Sequence, residues 1–210
     1  LMTYGGFPEP FLKAKETFSN KWRKNYMSLL TREDIRDLTR IQDIKGLEQL
    51  LLLLPERVSS PLSINSLKED LQVSHKTVST WLEALKKIYI VFSIMPWSKS
   101  ISKAIKKEAK FYFFDWTMVN DEGARFENAI AVSLLRLVCR WNELGTGNFE
   151  LRYIRNRQGQ EVDFIVINNQ KPFALFEAKK GDVSISKSGA YFNKLLKVPF
   201  YQLVSDHDII

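Results

Sequence analysis

The spacing of apolar residues changes along this chain, and that change bounds what it can fold into. In the first half, and again over 123–142, apolar side chains recur every three or four positions. After that they fall in short runs separated by turn residues. Ile44, Leu47, Leu50, Leu51 and Leu54 predict a helix over 43–54, stopped by Pro55. An earlier helix is predicted over 18–30, with Thr31 as a cap for the next. Gly5, Gly6, Pro8 and Pro10 predict an irregular arm over 2–20.

Residues 62–114 carry a more specific pattern. A short helix is predicted over 66–71, then a tight turn at Gln72 and Val73. Ser74 caps a second helix running to about Lys87, on which Val78, Trp81, Leu82, Leu85 and Ile88 form one apolar stripe. Strands are predicted over 89–95 and 111–114, joined by a basic loop with Lys99, Lys103, Lys106, Lys107 and Lys110. Helix, turn, helix and β-hairpin in that order describe a winged helix. Lys76, Thr77, Ser79 and Thr80 then stand as candidate nucleic-acid contacts at the start of the second helix. Lys103, Lys106 and Lys107 are placed to reach flanking phosphates. Two readings stay open, DNA contact or a protein-docking module. The lysine-rich loop weighs for the first and Glu83 weighs against it.

Composition excludes several classes. The net charge of +7 permits an acidic partner such as nucleic acid, although acidic residues are also plentiful. A single cysteine, Cys139, rules out an internal disulfide, and its apolar surroundings predict a buried structural thiol. No cysteine–histidine cluster of the zinc type is present. The longest aliphatic run, Leu50 to Leu54, is too short to span a bilayer, and the N-terminus has no basic region followed by an apolar core. No membrane partner and a cytoplasmic location are therefore expected. No G-x-x-x-x-G-K-[ST] run occurs, so no ATPase activity is expected from this chain alone. It opens on Leu1-Met2 with no recognisable domain start, as expected of a fragment.

From Asp121 the predicted order is one long helix over 123–142, strands over 151–155, 161–167 and 173–179, a helix over 190–196 and a strand over 200–204. That order suggests a mixed sheet flanked by helices. On a helical wheel of about 100° per residue, Glu127 falls in mid-stripe among Ile130, Ala131, Leu134, Leu135, Leu137, Val138 and Trp141. A carboxylate there needs pairing, protonation or a bound cation. The strands over 161–167 and 173–179 read as a hairpin about Gln170, which sets Asp163 opposite Glu177 and Glu161 opposite Lys179. Alternation puts Asp163 on the face of Glu161, Ile165 and Ile167. Facing carboxylates about 5 Å apart at Cβ repel each other, and a divalent cation relieves that repulsion. This is the donor set that metal-dependent phosphodiester cleavage uses, with Lys179 beside it to orient water or stabilise developing charge. The competing reading is a surface salt-bridge cluster on an edge hairpin.

The constellation Glu127, Asp163, Glu177-x-Lys179 resembles the PD-(D/E)XK nuclease superfamily. More closely, the chain resembles the C-terminal domain of unknown function of prokaryotic AAA+-like ATPases. The runs that carry the likeness start at Gly5 (GGFPE), Ser74 (SHKTV), Lys110 (KFYF), Arg125 (RFEN), Glu161 (EVDF) and Glu177 (EAK). No proline precedes Asp163, and Asp115-Trp116-Thr117 stands where a small acidic turn is usual. The resemblance implies an α+β fold. Residues 1–115 would form a helical arm and winged-helix region, and 116–210 a restriction-endonuclease-like mixed sheet flanked by helices. It implies Glu127, Asp163, Glu177 and Lys179 as catalytic residues, with the three carboxylates holding Mg²⁺ or Mn²⁺. It also implies an ATPase module in the full-length protein and DNA as a partner. Whether the chain is an enzyme stays open, as does its oligomeric state. One reading is a Mg²⁺-dependent endonuclease acting on DNA under an ATPase. The other is a non-catalytic DNA- or protein-binding module that targets the ATPase.

Overall fold

The computed structural model describes residues 2–30, 41, 43–98, 108–181 and 184–205. The chain is of mixed α and β class. In order it runs α1 (Pro8–Lys13), α2 (Glu16–Leu29), α3 (Ile44–Leu53), α4 (Ile64–Leu71), α5 (His75–Lys87), β1 (Val91–Ile94) and β2 (Lys110–Phe113). Then come α6 (Glu122–Glu143), β3 (Phe149–Arg155), β4 (Glu161–Asn168), β5 (Lys171–Lys180), α7 (Lys187–Leu196) and β6 (Phe200–Ser205). Contacts divide it into two units. The first takes the described residues up to Ser93 together with Phe111–Asn120, and the second those from Ile94 to Lys110 and from Asp121 onward. No helix among the described residues is long and apolar enough to cross a membrane.

In the first unit, three helices start on side-chain caps. Asp43 accepts from the Gly46 amide at 2.9 Å, Ser63 from Ser66 at 3.4 Å and Ser74 from Thr77 at 3.0 Å. Each supplies an acceptor to an amide that the first helical turn leaves unpaired. The stripes behind the caps are buried, Leu47 and Leu50 on α3, Leu67 on α4, and Val78, Trp81, Leu82 and Leu85 on α5. Gly46 lies under Trp81, where a Cβ would come within 2.3 Å of the indole. The arm is not irregular as expected. Pro8 opens α1, where a missing amide proton does no harm, and α2 begins at Glu16. The expected Thr31 cap lies outside the described residues, as do Lys99, Lys103, Lys106 and Lys107. β1 and β2 pair as a two-stranded sheet.

The second unit is built on a four-stranded sheet of order β3-β4-β5-β6, antiparallel until the last pair, which is parallel. α7 covers one face, its Phe192 packed on Val162, Ile165, Ile167 and Leu175. α6 lies against the other face, where Trp141 packs on Phe149 of β3 at 4.9 Å between ring centroids. Gly189 lets α7 sit on β6, since a Cβ there would fall 2.1 Å from the Phe200 ring.

Two irregularities set the register. The β4–β5 turn is only Asn169-Gln170, both at positive φ (48° and 65°), the backbone of a tight hairpin. Continued without a break, Asn168↔Lys171 would set Asp163 against Phe176. The register shifts after Ile167↔Pro172 to Val166↔Ala174, leaving Phe173 as an extra residue, and reaches Phe164↔Phe176. The next positions along are Asp163 and Glu177. On the other side of β4, Ile165 pairs with Arg152 but Val162 pairs with Ile154, three steps against two. That extra residue at 163–164 overturns simple alternation. Val162, not Asp163, shares the α7 face with Ile165 and Ile167.

Candidate functional site

The helical stripe of α6 carries Glu127 inward with Asn128, Ala131, Leu134 and Val138, all buried. Leu137, expected on that face, is exposed, and so is Cys139. Both sit one position from buried Val138, about 100° round the helix, among Arg136 and Arg140. The thiol is thus not the buried structural group that its apolar neighbours suggested.

Glu127 is paired with Lys110, the first residue of β2. Its ammonium lies 2.6 Å from Glu161 Oε1, 3.5 Å from Glu127 Oε1 and 3.8 Å from Asp163 Oδ1. Lys110 is fully buried, and its nitrogen also sits 5.5 Å from the centroid of the Tyr153 ring. Burial works against its charge, but Glu127, Asp163 and Glu161 together outweigh that and raise its pKa, so the ammonium stays charged. Lys110 was expected in the basic loop. It belongs instead to the charged core of the second unit. β3 holds both ends of the segment leading to it. The Tyr153 amide and carbonyl bond Met95 and Trp97, and the Tyr153 hydroxyl donates to the Glu108 carbonyl at 2.6 Å. Burial, then the nearby Glu161 charge, push that phenol up to about 12, so it remains a donor.

Asp163 sits where the register of β4 and β5 ends. Its Oδ2 accepts the Ala178 amide at 3.0 Å, so a side chain takes the bond that a strand carbonyl would otherwise make. Burial first, then the charges of Glu127 and Glu177, push its pKa up to about 7, against the opposing pull of Lys110 and the Ala178 amide. Glu161, expected opposite Lys179, reaches Lys110 and also lies 3.6 Å from Arg155, its register partner on β3.

Glu177 is buried, and Lys179 lies 2.9 Å from its Oε1. Ser186 donates to its Oε2 while accepting from the Gly189 amide as the N-cap of α7. One hydroxyl thus ties the start of α7 to the β5 carboxylate. The structure brings Glu127 and Asp163 to one cation and joins Glu177 to Lys179 beside them. Among the described residues, no three His, Cys, Asp or Glu side chains are gathered closely enough to hold a metal ion. Lys110 was missed in the sequence because its partners Glu127, Glu161 and Asp163 lie far along the chain, Glu161 was set opposite Lys179 instead of Lys110, and Ser186 was not singled out although Glu177 is only nine residues away. The one available signal was a strand-initial lysine followed by Phe111, Tyr112 and Phe113.

On α5, Lys76 and Thr80 are exposed. Thr77 Oγ1 lies 2.8 Å from Ser74 Oγ, and Ser79 Oγ donates to the His75 carbonyl at 2.9 Å, so these two hydroxyls serve the first turn of their own helix. Lys103, Lys106 and Lys107 lie outside the described residues.

A mixed α and β chain in two units, with a buried lysine among carboxylates in the second, is the class these observations define. Residues 1–122 match the family described as a domain of unknown function, DUF8612, and the chain belongs to that family. The match includes Lys110 and stops short of Glu127. The chain is similar to the uncharacterized protein MJ1544 of Methanocaldococcus jannaschii, 27% identical over 182 residues, covering 80% of this chain and 38% of that protein. It is also similar to the uncharacterized protein Rv2008c of Mycobacterium tuberculosis, 24% identical over 200 residues, covering 88% of this chain and 43% of that protein. The chain therefore spans about two fifths of the length of the curated relatives it matches. No solved structure matches it.

Proposed function

We propose that this chain is the DNA-associated part of a longer AAA+-like ATPase and carries a Mg²⁺-dependent nuclease site of the PD-(D/E)XK type in its second unit. The observation that carries this reading is the placement of Asp163 and Glu177-x-Lys179 where β4 and β5 part, with Glu127 of α6 approaching the same point. The order α6-β3-β4-β5-α7-β6, with one parallel pair at β5–β6, supports a restriction-endonuclease-like core. The greater length of the relatives leaves room in those proteins for a separate ATPase module.

The side chains are carboxylates, the donors a hard cation takes, but as they stand Glu127 and Asp163 converge on Lys110, and among the described residues no three such groups gather closely enough to hold an ion. On this reading Glu127, Asp163 and Glu177 are the residues that would hold Mg²⁺ or Mn²⁺. When bound, the ion lowers the pKa of a coordinated water and neutralises charge on the phosphate. The protein's own contributions are separate. The Ala178 amide fixes the Asp163 carboxylate, Ser186 fixes Glu177, and Lys179 presents an ammonium beside Glu177 to orient water or meet developing charge. Helices α4 and α5, followed in sequence by the two-stranded sheet of β1 and β2, support a winged-helix role, with Lys76 and Thr80 toward DNA.

A second reading has its own observation. Lys110 already compensates the carboxylates, which suits a module that binds DNA or protein and directs an ATPase without cutting. Incubating the pure chain with plasmid, linear and branched DNA in Mg²⁺ or Mn²⁺ separates the two. Cleavage by the wild type, lost in Asp163→Asn and in Lys179→Ala, is the expected result. DNA left intact under every condition, or cut equally by both variants, overturns the nuclease reading.

A further inference from the structure

The second unit holds a cavity of about 620 Å³ that shares no lining residue with the carboxylate cluster. Small-ligand sites have about that size, roughly 300–1,000 Å³. Ile167 and Leu196 of its lining belong to the core between the sheet and α7, and Trp97 packs against the same core. The Trp97 amide donates to the Tyr153 carbonyl at 2.6 Å, so the indole is carried on a backbone that β3 holds. The polar groups are few. They are Arg152, whose Nε donates to Glu150 Oε2 at 3.0 Å, and Gln170 and Lys171 at the β4–β5 turn. An apolar slot with an indole in its lining and a few polar groups suits a flat heterocycle.

The approach to this slot is basic. α7 carries Lys187 and Lys194 and no acidic residue. Both lysines are exposed, and Tyr191, 43% exposed, lies between them on one helical face, four positions after Lys187 and three before Lys194. Leu195, the next residue along that face from Tyr191, lines the cavity. Lys171 is exposed as well. No ion pair holds Lys171, Lys187 or Lys194 among the described residues. Glu150, the one acidic residue of the lining, is tied to Arg152. Uncompensated cations leading past an exposed ring to an apolar slot match a chain of phosphates that carries flat rings.

We propose that this face of the second unit binds single-stranded nucleic acid, with one unstacked base in the cavity beside Trp97 and the adjoining phosphates on Lys171, Lys187 and Lys194. A duplex keeps the flat faces of its bases inside the stack, so only an unpaired strand has a base to offer. The proposal rests on the reading of the chain as DNA-associated and names the form of nucleic acid it takes. It calls on no metal ion.

The test is fluorescence anisotropy of a short labelled oligothymidylate with the full chain in EDTA, where no divalent ion contributes and no strand is cut. Wild type is expected to bind it more tightly than the same strand annealed to its complement. It should also bind it about tenfold more tightly than a strand of equal length made of abasic sites. Trp97→Leu should lose the preference for bases and keep the salt dependence. The double variant Lys187→Ala/Lys194→Ala should keep the preference and lower the slope of log affinity against log salt by about 0.7 for each lysine. If circular dichroism finds Trp97→Leu unfolded, the abasic comparison on wild type and the variants at exposed lysines decide the matter. Equal binding of intact and abasic strands, a preference that survives Trp97→Leu, an unchanged slope in the lysine variant, or duplex bound as tightly as single strand overturns the proposal. So does the absence of binding at low salt. A chain that binds single strands in this pattern yet cuts no DNA in Mg²⁺ keeps the proposal and drops the nuclease. A chain that cuts DNA while binding intact and abasic strands alike does the reverse.

Discussion

At the scale of single residues, the second unit is organised by an imbalance of buried charge. Lys110 is the one ammonium within 4 Å of Glu127, Glu161 and Asp163 among the described residues. Removing the cation and removing one anion should therefore act in opposite directions. Lys110→Met leaves three carboxylates without their shared partner, and unfolding in denaturant should show a loss of about 3–5 kcal/mol. A loss under about 1 kcal/mol would mean that solvent screens the cluster. Asp163→Asn should stabilise the chain at neutral pH. The Asp163 pKa stands at about 7 when folded, raised by burial and by Glu127 and Glu177. A carboxyl that holds its proton more tightly in the folded state contributes stability that is fully present below its unfolded pKa of about 4. That contribution is lost as pH rises through about 7. Denaturation midpoints at pH 5 and pH 8 should thus show the variant gaining on wild type at the higher pH. A constant difference would show that Asp163 does not titrate in that window.

At the scale of elements, the hairpin β4–β5 decides which residues meet. Its two-residue turn demands left-handed backbone at both positions, and Gln170 adopts φ 65° without the freedom of glycine. Gln170→Gly should raise stability by about 1 kcal/mol, because the turn already has the geometry that glycine prefers. An unchanged or lowered melting temperature would show that the Gln170 side chain contributes more than its backbone strain removes. The Phe173 bulge just beyond the turn brings the register to Phe164↔Phe176, where the pairing of β4 and β5 ends next to Asp163 and Glu177. At the other end of β5, Ser186 links Glu177 to the first turn of α7, so helix position and carboxylate position are coupled through one hydroxyl.

At the scale of the whole molecule, the net charge of +7 permits a polyanionic partner without requiring one. If the basic stretch between β1 and β2 contacts phosphates through Lys103, Lys106 and Lys107, each lost contact lowers the slope of log affinity against log salt by about one unit. Labelled duplex titrated at several salt concentrations should bind wild type more tightly, and with a steeper slope, than the triple alanine variant. Coinciding curves, or no binding even at low salt, would make the segment a docking surface for protein.

Local patterns in the sequence were enough for most elements. Helical spacing, caps such as Ser74 and turn residues such as Gly159 placed α3, α5, α6 and the strands β3 to β6 to within a few residues, because these signals act between near neighbours. The inward place of Glu127 was legible for the same reason, since a buried stripe interrupted by a carboxylate is visible on a wheel. Pro8 misled because proline breaks a helix in its interior and opens one at its first turn. Symmetry about Gln170 set Asp163 opposite Glu177, but the paired register of β4 and β5, reached through a tighter turn and a bulge, ends one position short, at Phe164↔Phe176, and the Asp163 carboxylate bonds the Ala178 amide. What only the tertiary structure decided was the partner of each charge. Lys110 reads as one more cation in a basic stretch until β3 and β4 close around it. Glu161 then turns to that lysine rather than to Lys179. Alternation fails at Asp163 because an extra residue on β4 moves Val162 into the core in its place. Periodicity reports which side of an element is buried, but which charges meet depends on register shifts and on segments far apart in sequence, which the spacing of residues does not encode.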